Sequence, residues 1–254
     1  MLIDTHSHLN FSDYDKDRDE LINKCLDNNV WMINIGTDYE TSKKAIDISE
    51  KYPQGVFASI GMHPENIGQE IFDYKKYKDL NVCKKVVAVG EIGLDYWNKP
   101  KTKKKQAEFK NKQKELVLEQ IKLAKELDLP IVFHCRKAHD DLLEILDKFS
   151  DLKGVIHCYT GNWEQTEKYL KMGFYFGFTG IIFKLDLDEI IKKIPLNRIL
   201  VETDCPFLSP LKETKRNEPL FVEYMARRIA RLKNISLEQV AEQTTDNAKK
   251  LFNI

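Results

Sequence analysis

The sequence predicts an α/β protein, a TIM-type (β/α)8 barrel forming a single domain over residues 1–254. Three observations predict it. Short apolar runs alternate with longer stretches of helical spacing almost to the end, eight such short runs occur, and a chain of roughly 250 residues is the usual size of this barrel. Regular β-α alternation implies parallel strands joined by right-handed crossovers. An open doubly wound sheet is the alternative, but the Gly-x-Gly-x-x-Gly expected after its first strand is absent.

The predicted strands are residues 2–5, 30–35, 56–60, 86–89, 131–133, 155–156, 174–178 and 199–201. Helical spacing follows the first strand in Arg18, Leu21, Ile22, Cys25 and Leu26, and the second in Ala45, Ile46 and Ile48. It recurs after the fourth in Leu116, Ile121, Leu123, Ala124 and Leu127, after the fifth in Leu142, Leu143, Ile145 and Leu146, and after the eighth in Val222, Met225, Ala226, Ile229 and Ala230. Ser236 with Gln239 three residues on reads as a capping box that starts a last helix reaching about residue 251. No internal repeat, low-complexity tract or linker divides the chain.

Composition excludes some classes of protein and leaves others open. Forty basic and forty acidic residues cancel, so net charge gives no argument about a polyanionic partner and only local clusters can. No run reaches the ~18 apolar residues of a membrane span, and the start carries no basic segment followed by an apolar one. The expectation is a cytoplasmic protein without a membrane partner, working as a monomer. Five cysteines, an odd number in a chain too large to need staples, point to free thiols.

The chemistry begins at Asp4-Thr5-His6-Ser7-His8. Two imidazoles one residue apart point the same way on an extended strand, which makes half of a metal site. An isolated His-x-His is as readily a pair of surface histidines; its weight comes from the ligand-type residues further along the chain. His63, Glu91, His134, His157 and Asp204 also fall at the downstream ends of predicted strands, so five of the six histidines meet at the barrel face that carries active sites. Four imidazoles and two carboxylates exceed one tetrahedral zinc with an open position and suit two divalent ions about 3.5–4 Å apart. The mixed nitrogen and oxygen set admits Zn, Mn or Mg without choosing among them. Cys135, Cys158 and Cys205 each follow a candidate ligand, but strand alternation turns them toward the helix layer.

These pieces, with others, resemble the TatD family of metal-dependent deoxyribonucleases, a branch of the amidohydrolase-like barrels. The matching segments are Asp4-Thr5-His6-Ser7-His8, Gly61-Met62-His63-Pro64, Gly90-Glu91-Ile92-Gly93-Leu94-Asp95-Tyr96, Lys103-Lys104-Lys105-Gln106 with Phe109 and Gln113, His134-Cys135-Arg136, His157-Cys158-Tyr159-Thr160-Gly161, Glu202-Thr203-Asp204-Cys205-Pro206-Phe207-Leu208 and Arg216-Asn217-Glu218-Pro219. The resemblance implies His6, His8, Glu91 and Asp204 on one metal and Glu91, His134 and His157 on the other, with Glu91 bridging. It places His63 and Arg136 near the substrate phosphate. It implies divalent-metal-dependent hydrolysis of DNA, single-stranded or at an end, often as a 3′-to-5′ exonuclease, and in some members removal of D-amino acids from tRNA. One departure stands out: an Arg-Gly pair expected shortly before Asn217 is replaced by the run from Leu211 to Arg216, where Lys212, Lys215 and Arg216 supply charge in a different geometry.

In the expected reaction two cations activate a water, Glu91 and Asp204 are the catalytic carboxylates with Asp204 accepting the water's proton, Arg136 offers a planar fork to a phosphate oxygen, and His63 bonds the phosphate or leaving group. A lysine run from Lys99 to Lys105, followed by Lys110, Lys112 and Lys114, should lie at the mouth of the site as a phosphate attractant, although such runs are commonly plain solvated helix starts. Tyr96 and Trp97 just before it either stack on a base or pack the loop. Two other readings compete: a two-metal hydrolase of a carboxylic ester or amide, including an aminoacyl-tRNA deacylase, and a metal-binding scaffold without turnover.

Overall fold

In a computed structural model of the chain, which describes residues 1–214 and 216–254, eight parallel strands succeed one another in sequence order around a barrel. They are β1 (Leu2–Ser7), β2 (Val30–Ile35), β3 (Val56–Ile60), β4 (Val86–Asp95), β5 (Ile131–Arg136), β6 (Gly154–Ile156), β7 (Tyr175–Phe178) and β8 (Ile199–Val201). Helices lie between them: α1 (Arg18–Asp27), α2 (Tyr39–Glu50), α3 (Tyr74–Asp79), α4 (Lys103–Glu126), α5 (His139–Leu146), α6 (Trp163–Lys171) and α7 (Asp188–Lys193), with α8 (Val222–Lys233) and α9 (Leu237–Phe252) after the last strand. The TIM-type barrel is therefore present, and every predicted strand is found. Among the described residues no helix is long and apolar enough to cross a membrane.

Three strands run further than their apolar runs suggested, β1 among them, which reaches Ser7. β4 continues from Val89 through Glu91 to Asp95, and β5 continues to Arg136. Their downstream halves are polar or glycine-rich because they face the site, so hydrophobicity stops before the hydrogen bonding does. β4 also carries an extra residue: Val89 pairs with Ile131, yet Ile92 pairs with Phe133. β1 has the same irregularity between Asp4 and Ser7. An inserted residue reverses which face the following side chains occupy. Both inversions fall beside site residues, His6 in one strand and Glu91 in the other.

The barrel has two apolar layers. The larger lies between strands and helices; the smaller joins Ile3, Ile33, Val87, Val132, Val155 and Leu200 to Ala248, Leu251 and Phe252 of α9. That helix starts as the sequence predicts, with Ser236 Oγ accepting from Gln239 N–H (3.2 Å) and Gln239 Oε1 accepting from Ser236 N–H (3.0 Å). Asn247 on α9 donates to the carbonyls of Leu196 and Ile199 (2.9 and 2.8 Å), at the upstream end of β8. α9 thus closes the end opposite the histidines and leaves the downstream end open for chemistry.

The ring closes where β1 meets the segment after β8. His8 N–H donates to Cys205 O (2.9 Å) and Asp204 N–H to His6 O (2.8 Å). Asp4 reinforces this seam: its carboxyl group, which burial pushes up to about 8, accepts from Thr203 N–H (2.8 Å), Thr203 Oγ–H (2.5 Å) and His6 N–H (3.3 Å), all of them buried. Asp4→Ala strands those donors without an acceptor, a penalty of about 3 kcal/mol. The expected result is a lower urea midpoint with an unchanged m value, and a stability loss below about 1 kcal/mol would show that the seam does not depend on Asp4.

Candidate metal centre

The open end of the barrel holds a cavity of about 1200 Å³, and His8, His63, Glu91, His134, Arg136, His157 and Asp204 all line it. His6 lies buried beneath them. The side chains predicted from residues scattered along the chain are brought together here. His6 Nε2 stands 3.2 Å from His8 Nε2, 3.3 Å from Glu91 Oε2 and 3.7 Å from Asp204 Oδ1. His8 Nε2 is 3.4 Å from Asp204 Oδ1, and His157 Nε2 is 3.8 Å from that same oxygen and 3.9 Å from Glu91 Oε1.

For His8 and His157 the far side of the ring decides which nitrogen faces the centre. His8 Nδ1–H donates to the carbonyl of Ile35 (3.1 Å), and His157 Nδ1–H donates to Glu202 Oε2 (2.8 Å). Each imidazole so fixed turns Nε2 to the centre, the nitrogen that would hold a bound cation. His134 differs, since Nδ1–H donates to Glu91 Oε1 (2.7 Å) and Nε2–H to Asp95 Oδ2 (2.8 Å). Burial disfavours its charge, but hydrogen bonds to Asp95 and Glu91 outweigh burial and push it up to about 10. His157 is likewise raised, to about 9, because Glu202 overcomes its burial. Glu91 and Asp204 are held below the usual carboxylate range although burial opposes this, Glu91 by the nearness of His6 and by hydrogen bonds with His134 and His6, Asp204 by its hydrogen bond with His8.

Such a set fits divalent cations. Three groups of donor atoms are mutually close: His6 with His157 and Asp204, His6 with His8 and Glu91, and His63 with Glu91 and His134. Carboxylate oxygens and imidazole nitrogens are donors that Zn, Mn and Mg share. Among the described residues, His6 Nδ1 is buried without a hydrogen-bond partner while its Nε2 lies 3.2 Å from His8 Nε2, two ring nitrogens close enough to share one cation. These groupings differ in one respect from the division that the resemblance implied: His157 sits with His6 and Asp204, while His63 stands beside His134, ring centroids 4.3 Å apart. Burial, and after it the neighbouring His134, lowers His63 to about 3, so it is a neutral ring. Its Nδ1 accepts from Glu65 N–H (3.2 Å), which leaves Nε2–H to point toward Glu91, 3.7 Å away.

Two carboxylates were missed in the sequence. Asp95 braces His134, and Glu202 braces His157 while also accepting from Cys158 N–H (3.2 Å) and Thr5 Oγ–H (3.3 Å). Both stand inside the family-like segments, and the signal that could have found them is their place at or near a strand end. Gly177 makes room for Glu202, because a Cβ there would come 2.1 Å from Glu202 Oε1. Asp95 is held in turn by Gln113 of α4, which bonds both its N–H (2.8 Å) and its carbonyl (2.9 Å). Gln120, two turns along α4, does the same for Met62, next to His63. The helix after β4 therefore sets the backbone beside two site residues.

The cysteines, aromatics and basic residues divide between the site and its surroundings. Cys135 on β5 is buried in the apolar layer as alternation requires, and Cys205, beyond the end of β8, is buried there too. Cys158 departs from that expectation: β6 ends at Ile156, Cys158 has φ +45°, and its thiol lines the cavity 3.1 Å from Thr179 Oγ1. Alternation could not apply to a residue outside the strand. Tyr96 is buried, with its hydroxyl donating to Asp141 (2.8 Å), whereas Trp97 is 54% exposed at the cavity wall under the guanidinium of Arg136, 4.4 Å away. Lys110 reaches the cavity but lies over Tyr96 and within 3.4 Å of Asp141, and Lys114 also pairs with Asp141 (3.3 Å). Lys103, Lys104 and Lys105 are exposed at the start of α4. Arg216 does not face the cavity: it grips Asp17 with two nitrogens (2.8 and 2.6 Å) and lies over Tyr14. Lys212 is exposed, and Lys215 lies outside the described residues.

Comparison with known proteins adds an independent line. A family profile described as TatD related DNase matches residues 3–253. A Bacillus subtilis protein named as an uncharacterized metal-dependent hydrolase is 42% identical over 263 residues, covering 100% of each chain. A Rahnella protein named as a 3′-5′ ssDNA/RNA exonuclease is 31% identical over 258 residues, covering 96% of this chain and 95% of the other. Among solved structures, a TatD homologue of Escherichia coli is similar with a TM-score of 0.90 and 28% identity, over 100% of this chain and 98% of that one.

Proposed function

The chain belongs to the TatD family of metal-dependent hydrolases, and from that premise we propose that it hydrolyses phosphodiester bonds of DNA as a 3′-to-5′ exonuclease. Two divalent ions, of Mg, Zn or Mn, are held in this reading by His6, His8, Glu91, His134, His157 and Asp204. The observation that carries it is the convergence of those donors in one cavity whose wall also presents Arg136 and the Nε2–H of His63. Neutral donors aimed at a hydrophobic substrate would not need a guanidinium there; a phosphate does.

Bound cations supply Lewis acidity and let water act as a nucleophile near neutral pH. The chain's own groups do the rest. Asp204, ionised because its pKa is depressed, accepts the proton that the attacking water loses. Arg136 donates to a non-bridging phosphate oxygen, and its stacking on Trp97 restricts where that fork can go. His63, neutral and with Nδ1 already accepting, donates from Nε2 to the phosphate or to the departing oxygen. Glu202 and Asp95 keep His157 and His134 oriented.

A 5′-labelled single strand incubated with the protein and Mn²⁺ should shorten progressively from its 3′ end, and a chelator should stop it. Retention of full-length strand with Mg²⁺, Mn²⁺ and Zn²⁺, alongside cleavage of an aminoacyl ester, would replace this reading with that of a carboxylic ester hydrolase. Cleavage of a covalently closed single-stranded circle, which has no 3′ end, would remove the exonuclease assignment while leaving the phosphodiesterase.

A further inference from the structure

Phe207 is out of place for a residue three positions from Asp204. It is 52% exposed and lines the cavity wall. Its backbone is nevertheless fixed. Phe207 N–H donates to Asp204 O (2.9 Å), and Asn217 donates from its side chain to Phe207 O (2.6 Å) and Thr203 O (2.8 Å) and from its backbone to Pro206 O (3.1 Å). A flexible tip could expose a ring by accident; here four hydrogen bonds hold the turn that displays it. The ring centroid lies 6.4 Å from that of His8 and 6.3 Å from that of Phe11, and Phe11 is itself stacked on His8 at 4.5 Å.

The two sides of the cavity mouth differ in chemistry. Strand order puts β4 and β5 diametrically across from β8 and β1. The β4–β5 side offers Arg136 and Lys137 around Trp97, while Lys110 there lies over Tyr96 and is paired with Asp141. The β7–β8–β1 side offers Phe11, Ile181, Leu185, Phe207 and Leu208. A ligand that fills both sides is anionic at one end and flat and apolar at the other, with the donor cluster of His6, Glu91 and Asp204 between them. A nucleotide unit has that polarity, and an aromatic face is what a nucleobase stacks on without regard to its identity.

We propose that Phe207 is the stacking platform for an unpaired nucleobase next to the scissile phosphodiester, so that the substrate is a strand whose terminal base has a free face. The inference rests on the phosphodiesterase reading of the same cavity. A base inside a duplex has both faces covered by neighbours and cannot use the ring.

The test compares two 5′-labelled single strands, identical except that the last two 3′ nucleotides of one are abasic tetrahydrofuran sites. Wild-type protein with Mn²⁺ should cleave the natural end about ten- to a hundredfold more efficiently in kcat/KM, most of it in KM. Phe207→Ala and Phe207→Leu should bring the two strands close together, the leucine because it keeps apolar area without a π face, and Phe207→Trp should keep the preference. Equal cleavage of both strands by the wild type overturns the proposal, and so does a leucine variant that retains the wild-type ratio. Fluorescence anisotropy of the same strands separates this failure from that of the parent reading. A preference in binding that Phe207→Ala abolishes, without any hydrolysis, sustains the platform and removes the nuclease, while binding without preference removes the platform.

Discussion

Glu91→Gln is expected to strip most of the metal from the protein and to lower hydrolysis by well over a hundredfold, while the barrel stays folded. Among the described residues, Glu91 is the one carboxylate within 4 Å of four imidazoles: His134 at 2.7 Å, His6 at 3.3 Å, His63 at 3.7 Å and His157 at 3.9 Å. Glutamine keeps the shape and removes the charge that makes the group a strong donor to a divalent ion. The scale comes from a comparison within the same site. Carboxylates that only orient a ligating histidine cost about 10–100-fold in metal affinity or activity when changed, and Asp95 and Glu202 hold that position here. A group shared between donor clusters must exceed them. Metal content by plasma mass spectrometry and strand hydrolysis, measured for Glu91→Gln beside Asp95→Asn and Glu202→Gln, should therefore rank Glu91 first. If the Glu91 variant keeps its full metal content, the centre is not organised around it.

The fold was legible in the sequence because its signal is repeated: eight apolar runs at helical intervals leave few topologies, and each strand was located by it. The same signal failed at the downstream ends of β4 and β5, where Glu91 and His134 replace apolar residues just because the chain there faces the site. The site histidines were legible as a set, since strand ends in a barrel share one face, but not their partners. Glu202 follows the last residue of β8 and so carries a strand-end signal, but nothing in sequence says that it braces His157. The extra residues in β1 and β4 were also invisible, because a period of two carries no mark of where it is reversed. Arg216 shows the remaining limit: its position before Asn217 suggested charge for a phosphate, and only the fold reveals that Asp17 of the β1–α1 connection already holds it.

Asp204→Asn is expected to lower the rate about 10²- to 10⁴-fold, the usual contribution of a positioned general base, and to lose less metal than Glu91→Gln. Asp204 touches fewer of the clustered donors, and its Oδ1 already faces His8, His6 and His157, a contact an amide oxygen reproduces in shape. What an amide cannot do is accept the proton of an attacking water. Two roles, ligand and base, can thus be told apart by titrating Mn²⁺: a variant whose activity recovers as metal is raised has lost only a ligand, and one that stays slow at saturating metal has lost the base. The pH profile supplies a second criterion. Because Asp204 is depressed below its ordinary value despite burial, through its hydrogen bond to His8, it is already ionised across the neutral range, and its own acid limb falls below pH 3.8. Burial pushes Asp4, at the seam beside His6, up to about 8 as well, so a loss of activity between pH 9 and pH 6 in the wild type reports protons competing for the histidines, with His157 and His134 raised to about 9 and about 10, where excess metal shifts that limb to lower pH. The asparagine variant should keep this limb while its plateau drops. A variant whose plateau matches the wild type at saturating Mn²⁺ would leave Asp204 as a ligand alone and assign the proton to another acceptor.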